Sequence, residues 1–352
     1  MARSLIFSKA INEALSQAME ADNSVICYGL GVDDPKGVFG TTLGLKERFG
    51  EKRVFDMPAS ENAMTGIAIG ASLNGIRPVM THQRLDFFLL AMDQLVNNAS
   101  KWYYMFGGQT SVPITIRLII GRGWGQGPTH SQSLQAFFAH IPGIKVVMPT
   151  TAADAKGLLL SSIFDNNPVV FLEHRWLYGL EDDVPEGDFR VPIGKAQLLR
   201  NGEDVSIISF SYMTIEALYA IDFLKKHRVS CDLIDLRSVK PIDWEMIFKS
   251  VNKTGKLLVL DTGIYTGSVA GEIIARVIME CFKNLKQAPR RLALPDFPMP
   301  TSFALTKIFY KRAEDVVKVV GDMLEKNFQT DELEKQRRLP HDVPGDWFNG
   351  PF

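Results

Sequence analysis

The chain alternates short, almost wholly apolar segments with stretches of helical periodicity, and no other feature constrains its fold as strongly. Strand-like runs in the first half lie at 25–30, 77–81, 112–120, 144–149 and 168–173. Helical stretches separate them near 61–74, 87–104, 133–140 and 152–164. Strands without a polar face are typical of a parallel sheet that is covered by helices on both sides. The pattern therefore predicts an α/β fold.

A second alternating unit follows a break in this pattern. Residues 180–203 are rich in acids, glycine and proline, which suits a boundary better than a core. Beyond them, strand-like runs lie at 204–210, 231–236, 256–261 and 290–294. We therefore expect a first domain at 1–190, a linker at 191–202 and a second α/β domain at 203–328.

The two ends of the chain have different patterns. Ile11, Leu15 and Met19 recur at helical spacing, so we expect an N-terminal helix rather than a secretory signal. The C-terminal extension, 329–352, begins charged and carries aromatic residues among glycines and prolines. Its aromatics either dock on a neighbouring surface or belong to a flexible end.

Charge and cysteine usage limit the classes of partner. Lysine and arginine together number 39 against 40 acids, so electrostatics favours neither nucleic acid nor an anionic membrane as a partner. No segment approaches the roughly 20 apolar residues that span a bilayer. Cys27, Cys231 and Cys281 lie far apart in apolar stretches, which favours reduced, buried thiols. We expect a cytoplasmic protein.

A glycine-rich loop leads to a histidine. Glycine occupies every second position from Gly121 to Gly127, and the run ends on Pro128, Thr129 and His130. Such a run permits positive φ and close approach by another molecule, so we expect a ligand here. Neither this loop nor GLGVDD at 29–34 fits the GxGxxG dinucleotide pattern, and the chain contains no P-loop sequence.

A carboxylate begins the helix expected after residue 60. Ser60 is expected to cap this helix, and Glu61 in its first turn is explained in the simplest case by the helix dipole. The helix is nevertheless small and apolar on every side, which predicts close packing all round; the residues concerned are Ala63, Gly66, Ala68, Gly70 and Ala71. A carboxylate at the mouth of so dry a setting is suited to carry a proton.

Several uncommon strings occur together: RFGEKRVFDMPASE, NGIRPV, AMDQLVNNASK, GGQTSVPITIR, THSQS, HIPGIKVVMP, DAKGLLLSSIFDNNPVVFLE and VKPID. With this set, residues 4–326 resemble the β-subunits of the two-subunit E1 components of 2-oxo acid dehydrogenases, the pyruvate and branched-chain type. These oxidoreductases use thiamine diphosphate. The resemblance implies a parallel-sheet domain that binds the cofactor's pyrimidine, followed by a smaller α/β domain like the transketolase C-terminal domain.

The resemblance also implies which residues form the site. Glu61 matches the catalytic glutamate that protonates the aminopyrimidine ring. His130 matches the active-site histidine that orients the substrate and the incoming lipoyl group. Phe87 falls where an aromatic ring stacks on the pyrimidine, and Leu30 and Gly31 lie in a segment that contacts the cofactor. A potassium site is implied at the backbone carbonyls of Ile114, Ser162, Ile163 and Asp165, with Asn167.

One half of the family's cofactor site has no counterpart in this chain. The magnesium and diphosphate motif, GDG followed by NN, is absent. The resemblance therefore implies a separate E1 α-subunit that holds Mg²⁺ and diphosphate in an α2β2 heterotetramer. It also implies a 2-oxo acid substrate and a lipoyl-bearing E2 acyltransferase as acceptor.

Departures from the family keep alternatives open. GLG stands at 29–31 where the family has acids, and THQRL stands at 81–85 where many relatives read EFxxF. Arg84 either faces the pocket, where it would meet a carboxylate or phosphate, or faces outward. The first alternative function is a transketolase-like or acyloin-forming transferase in a specialised biosynthetic pathway. The second is a catalytically silent assembly subunit.

Overall fold

The computed structural model describes residues 2–122, 126–337, 339–348 and 350, without the side chains of Ala2 and Gln336. Its strands are β1 (Ala2–Ile6), β2 (Val25–Gly29), β3 (Val54–Asp56), β4 (Arg77–His82), β5 (Thr115–Ile120), β6 (Lys145–Val147), β7 (Val169–His174), β8 (Glu181–Pro185), β9 (Gln197–Arg200), β10 (Val205–Ser209), β11 (Cys231–Asp235), β12 (Ser238–Lys240), β13 (Leu257–Ile264) and β14 (Arg290–Leu294).

Its helices are α1 (Phe7–Ala21), α2 (Gly37–Gly40), α3 (Leu45–Phe49), α4 (Glu61–Leu73), α5 (Leu85–Phe88), α6 (Ser100–Met105), α7 (Gln135–His140), α8 (Ala152–Ile163), α9 (Tyr212–Lys226), α10 (Trp244–Thr254), α11 (Val269–Cys281), α12 (Phe303–Phe309), α13 (Ala313–Leu324) and α14 (Asp331–Gln336). Among the residues described, no helix has both the length and the apolar character needed to cross a membrane.

The larger sheet supports the site. Its strand order is β12-β6-β7-β5-β4-β2-β3, and each neighbouring pair is parallel apart from β12 with β6. Every residue of β5 and β7 is buried, as expected for strands with helices on both faces. The predicted α/β fold, with a largely parallel sheet, is confirmed.

Two helical layers cover the larger sheet. Met80 of β4 packs into a cluster with α4, whereas its neighbour Val79 packs on the opposite face with α1 and α8. Ile11, Leu15 and Met19 are fully buried in this second cluster. The predicted N-terminal helical stripe is confirmed.

The smaller sheet has the order β14-β13-β10-β11-β9, in which β9 is antiparallel to β11. Helices α9 and α13 pack on one of its faces, and α10 and α11 pack on the other. Strand β9 lies inside the segment predicted as a linker, 191–202. The division of the chain into domains at that segment stays a prediction.

Several edges of the fold differ from the sequence-based expectation. Strands β1 and β8 form a separate antiparallel pair, although the composition of 180–203 predicts a boundary. Their residues lack apolar alternation, and β8 reads EDDVP, so only their mutual pairing reveals them. The helix predicted near 87–104 is irregular, since a π-helical stretch at 94–99 lies between α5 and α6.

The structure tests the predictions made for the cysteines and for the C-terminal extension. Cys27, Cys231 and Cys281 are free and buried, as predicted. Of the two alternatives for the extension, docking is correct for its described aromatics, because the Trp347 indole N–H donates to the Trp176 carbonyl at 2.8 Å. Phe352 lies outside the described residues.

Candidate active site

One edge of the larger sheet collects the predicted site residues. Strands β3, β2, β4 and β5 are parallel neighbours, so their carboxyl ends meet at the same edge. The segment after β2 carries Leu30 and Gly31, the segment after β3 carries Glu61, and those after β4 and β5 carry Phe87 and His130. This edge is where ligands bind in open α/β sheets.

Glu61 is the first residue of α4, and only 8% of it is exposed. Its backbone carbonyl accepts a hydrogen bond from the Thr65 hydroxyl at 2.8 Å. The expected cap is wrong, because the Ser60 side chain makes no capping hydrogen bond. The buried position of Glu61 therefore comes from packing of the residue rather than from a helix cap.

Helix α4 is buried on one side only. Met64 and Ala68 lie in the core, whereas Ile67 is 58% exposed. Close packing all round is therefore not present within the described chain. An apolar helix face of this kind is typical of a surface that another subunit covers.

Phe87 and His130 form an aromatic pair at the sheet edge. Their ring centroids lie 5.3 Å apart in an edge-to-face arrangement. The Thr129 hydroxyl lies 3.0 Å from His130 Nδ1, within hydrogen-bonding distance. Phe87 is 38% exposed and His130 is exposed as well, so both rings are accessible to a ligand.

A polar pair beside these rings was not singled out from the sequence. The Gln132 side-chain amide donates to Asp86 Oδ1 at 2.7 Å. Asp86 Oδ2 is buried and has no hydrogen-bond partner among the described residues. The THSQS string, which contains Gln132, is the one sequence feature that could have indicated this pair, although nothing in that string points to Asp86.

The turn after β2 is held from two sides. The Leu30 N–H donates to the Thr81 carbonyl at 3.1 Å, and Gly31 has a φ of 76°. This positive φ favours glycine, and a Cβ on Gly31 would also lie 2.1 Å from Gln83 Nε2, so the Gln83 side chain would have to move. Asp33, one of the acids displaced from the family's positions, pairs with Lys46 at 2.5 Å.

Arg84 neither points into an open pocket nor faces outward. It is 3% exposed, and it donates to the Gly121 carbonyl at 3.0 Å and to the Gln126 side chain. Burial lowers the pKa of Arg84 to about 10. The guanidinium therefore joins the two ends of the glycine-rich loop.

The glycine-rich loop also contacts the second half of the chain. A Cβ on Gly127 would lie 2.5 Å from the Thr301 hydroxyl. Arg122 donates to the carbonyls of Pro300 and Thr301 at 2.6 and 3.0 Å. Gly123, Trp124 and Gly125 lie outside the described residues.

A buried ion pair supports the sheet beneath the loop. Arg117 of β5 donates both Nε and Nη2 to the Glu173 carboxylate, at 2.6 and 2.9 Å, and both side chains are fully buried. The Tyr178 hydroxyl donates to the same carboxylate at 2.6 Å, and burial raises the pKa of Tyr178. The sequence feature that could have predicted this ion pair is an arginine inside a largely apolar strand, VPITIRLII.

The residues of the implied potassium site lie at the opposite end of the sheet, near the start of β5 and β7; they are Ile114, Ser162, Ile163, Asp165 and Asn167. The carbonyls of Ile163 and Asp165 accept hydrogen bonds from Arg77 Nη1 at 3.2 and 3.1 Å. Lys145 forms an ion pair with the Asp165 carboxylate. Two cationic side chains thus contact this cluster, and potassium binding there stays a prediction.

Within the described ranges, no group of three or more His, Cys, Asp or Glu residues could hold a metal ion.

Comparisons with known families divide the chain into two matching regions. Residues 3–181 match the pyrimidine-binding domain of transketolase, and residues 194–316 match the transketolase C-terminal domain. Among solved structures, a split-gene transketolase, described as an inactive β4 tetramer, has a similar fold. Its TM-score is 0.75 at 23% identity, covering 91% of this chain and 99% of that one.

Similar curated proteins extend over most of the chain. The acetoin:2,6-dichlorophenolindophenol oxidoreductase subunit beta of Cupriavidus necator is 41% identical over 326 residues, covering 90% of this chain and 96% of that protein. The 2-oxoisovalerate dehydrogenase subunit beta of Bacillus subtilis is 39% identical, covering 90% and 97%. The pyruvate dehydrogenase E1 component subunit beta of Rickettsia conorii is 38% identical, covering 89% and 96%. The chain therefore belongs to the transketolase-like family that includes the E1 β-subunits of 2-oxo acid dehydrogenases.

Proposed function

We propose that this chain is the β-subunit of a thiamine-diphosphate-dependent 2-oxo acid dehydrogenase, which decarboxylates a 2-oxo acid and transfers the acyl group to a lipoyl domain. The observation that carries the proposal is the position of Glu61, a buried carboxylate at the sheet edge that also presents Phe87 and His130. Relatives at about 40% identity with E1 β-subunit names support it.

The residues at the edge fit the pyrimidine half of thiamine diphosphate. An aromatic ring, a protonatable carboxylate and the backbone turn at Leu30–Gly31 are the groups that a flat, nitrogen-containing ring requires. When bound, the cofactor supplies the electron sink for loss of carbon dioxide from the substrate. Phe87 would contact the ring face, and Glu61 would face a ring nitrogen.

Glu61 would hold or release a proton at its carboxylate oxygen. Only 8% of the residue is exposed, so a bound ring would cover the carboxyl group and the proton would be exchanged with that ring rather than with solvent. Its position in the first turn of α4 fixes the carboxylate on a rigid element rather than on a loop.

His130 would orient the substrate and the incoming acyl acceptor. Its ring is placed by the edge-to-face contact with Phe87 and by Thr129, which leaves the other ring nitrogen for a ligand. Because His130 is exposed in this chain, an acceptor can approach it from outside. A lipoyl group on an E2 acyltransferase fits such an approach.

An α-subunit partner in an α2β2 heterotetramer is the second part of the proposal. The chain lacks the family's diphosphate and magnesium motif, so the other half of the cofactor site must come from elsewhere. An apolar surface is available for contact: Ile67, Leu90, Tyr104 and Met105 are 58%, 67%, 88% and 66% exposed. Such a patch is typical of a subunit interface.

The substitution Glu61→Gln tests the catalytic assignment. Co-expressed with the α-subunit, the variant should lose about 10² to 10⁴ of its turnover, because the amide cannot supply the proton. Turnover is measured with thiamine diphosphate, a 2-oxo acid and a redox dye. The matched control is Glu51→Gln, at an exposed carboxylate, which should retain full turnover. An active Glu61→Gln enzyme would leave this chain the role of an assembly subunit.

A second candidate substrate class is an acyloin. The relative from Cupriavidus necator, named as an acetoin oxidoreductase subunit, favours it. The same dye assay distinguishes the two classes when it compares pyruvate and branched 2-oxo acids with acetoin. Reduction of the dye with acetoin alone would favour the acyloin activity over the dehydrogenase.

A further inference from the structure

The C-terminal extension reaches the glycine-rich loop of the candidate site. We propose that its described residues, 329–337 and 339–348, form a strap that positions this loop, and that Asp342 is the positioning residue. Among the described residues, the strap forms no hydrogen bond, ion pair or ring contact with Glu61 or Phe87, so its action on the site would pass through the loop. The predicted effect on the loop is independent of the proposed function, whereas the effect on turnover rests on it.

The strap is anchored on both halves of the chain. Its Trp347 indole donates to the Trp176 carbonyl at 2.8 Å, next to β7. On the other half, Arg312 at the start of α13 donates to the Val343 carbonyl at 3.1 Å. A Cβ on Gly179 would lie 2.1 Å from the Trp347 carbonyl oxygen, so the backbones are in direct contact. The strap therefore has a defined path.

Along that path, Asp342 meets the loop. Its carboxylate lies 2.8 Å from Arg122 Nη2, and the two side chains are 1% and 0% exposed. Arg122 belongs to the loop, one residue after Gly121. A fully buried guanidinium is stable only when a charge or several acceptors compensate its lost hydration. Asp342 is the carboxylate that provides the compensating charge.

The loop is thus held between two layers. On the side of β4, Arg84 donates to the Gly121 carbonyl. At the next residue, Asp342 of the strap forms an ion pair with Arg122, which also donates to Pro300 and Thr301. Without Asp342, the Arg122 charge would favour a loop conformation in which water reaches the guanidinium.

A displacement of Arg122 would change the position of His130. Gly127 lies against Thr301, whose carbonyl accepts from Arg122. The Gly127 carbonyl in turn accepts the His130 N–H at 3.2 Å. A shift of Arg122 away from Thr301 would therefore release the turn that presents the imidazole.

Hydrogen–deuterium exchange on the full chain tests the strap. For Asp342→Asn, we expect exchange of the amides of Arg122, residues 126–127 and residues 129–132 to accelerate about tenfold or more, while amides of β5 and α13 keep their wild-type rates. Asp342→Glu, which keeps the charge, should retain slow exchange in the loop. The matched control is Glu334→Gln, which makes the same carboxylate-to-amide change at an exposed position of the strap and removes none of its anchors.

Trp347→Phe provides a second variant that leaves no buried charge unpaired. It removes the anchor at the Trp176 carbonyl and should also accelerate exchange in the loop selectively, to a smaller extent. It decides the question if Asp342→Asn cannot be purified. The proposal would be overturned if the loop amides of these variants exchanged at the wild-type rate. It would also be overturned if exchange accelerated equally throughout the chain.

Turnover of the assembled enzyme distinguishes positioning from simple stabilisation. Asp342→Asn should lower kcat about tenfold through a misplaced imidazole, with the KM for thiamine diphosphate unchanged. A change in KM for thiamine diphosphate with kcat unchanged would contradict a role for the strap at His130. If wild type turns over no 2-oxo acid, the proposed function fails, while the exchange experiment still decides whether the strap positions the loop.

Discussion

Replacement of Gly121 by alanine tests whether the glycine-rich loop starts in the only conformation that its surroundings allow. Gly121 has a φ of 76°, where a residue with a Cβ loses about 1–2 kcal/mol. The added methyl would also lie 2.4 Å from Nε2 and 2.5 Å from Cε1 of His174. Both contacts are far shorter than van der Waals distance, so one of the two groups must move.

The His174 ring has little freedom to move. Its Nδ1 accepts the Trp176 N–H at 3.2 Å, and the ring stacks on Tyr212 with centroids 5.3 Å apart. An extra methyl in a packed core costs about 1–3 kcal/mol. With the backbone term, Gly121→Ala should lower the free energy of unfolding by about 2–5 kcal/mol. Urea denaturation of the full chain measures the loss.

A matched control separates the two terms. Gly75 has a φ of 88°, and a Cβ added there would have no atom within 4 Å, so Gly75→Ala carries the backbone term alone. Its loss should be about 1–2 kcal/mol. In a double-mutant cycle, His174→Ala should relieve the steric part of Gly121→Ala, with a coupling of about 0.5–3 kcal/mol. Equal losses for the two glycine variants, with no coupling to His174, would refute the reasoning.

Two further predictions concern buried charge. Glu173→Gln leaves Arg117 buried without its ionic partner and should lower the free energy of unfolding, measured in urea, by about 3–5 kcal/mol. The control Asp188→Asn breaks an exposed pair and should lower it by less than about 1 kcal/mol. Similar losses for the two variants would contradict the buried-pair argument. Burial lowers the pKa of His82 to about 4, so the unfolded chain binds a proton there first as the pH falls below about 6.5. Relative to His82→Phe, wild type should therefore lose about 2 kcal/mol between pH 7.5 and pH 5, and a pH-independent difference would show that His82 does not titrate as inferred.

The parts of the fold that could be predicted from the sequence are those whose burial is local. Strands β5 and β7 are buried on both faces, so their apolar runs identify them without knowledge of their neighbours. The pairing of β1 with β8, and of β12 with β6, depends on segments far apart in the chain. Because each pairing joins segments far apart in the chain, no pattern within one segment predicts its partner.

The site shows the same division. Glu61 and His130 lie in strings that resemble a known family, and Phe87 lies just before another; the parallel order of the strands brings their segments to one edge. The contacts of Asp86 with Gln132, and of Arg122 with Asp342, join residues from different segments. No pattern within either segment predicts the partner in the other, so only the folded chain identifies the pairs.

The residues of the site fall into two layers with different expected responses to substitution. The lower layer, which includes the Arg117–Glu173 pair, is fully buried, so a change there acts first on folding. The upper layer, Phe87 and His130, is exposed and makes few contacts that stability depends on, so a change there should act on ligand binding and turnover. Glu61 lies between the layers, since it is buried yet begins a helix at the open edge. A carboxylate in that position can be held rigidly by the fold and still be covered by a partner chain, which is the arrangement that proton transfer to a bound ring requires.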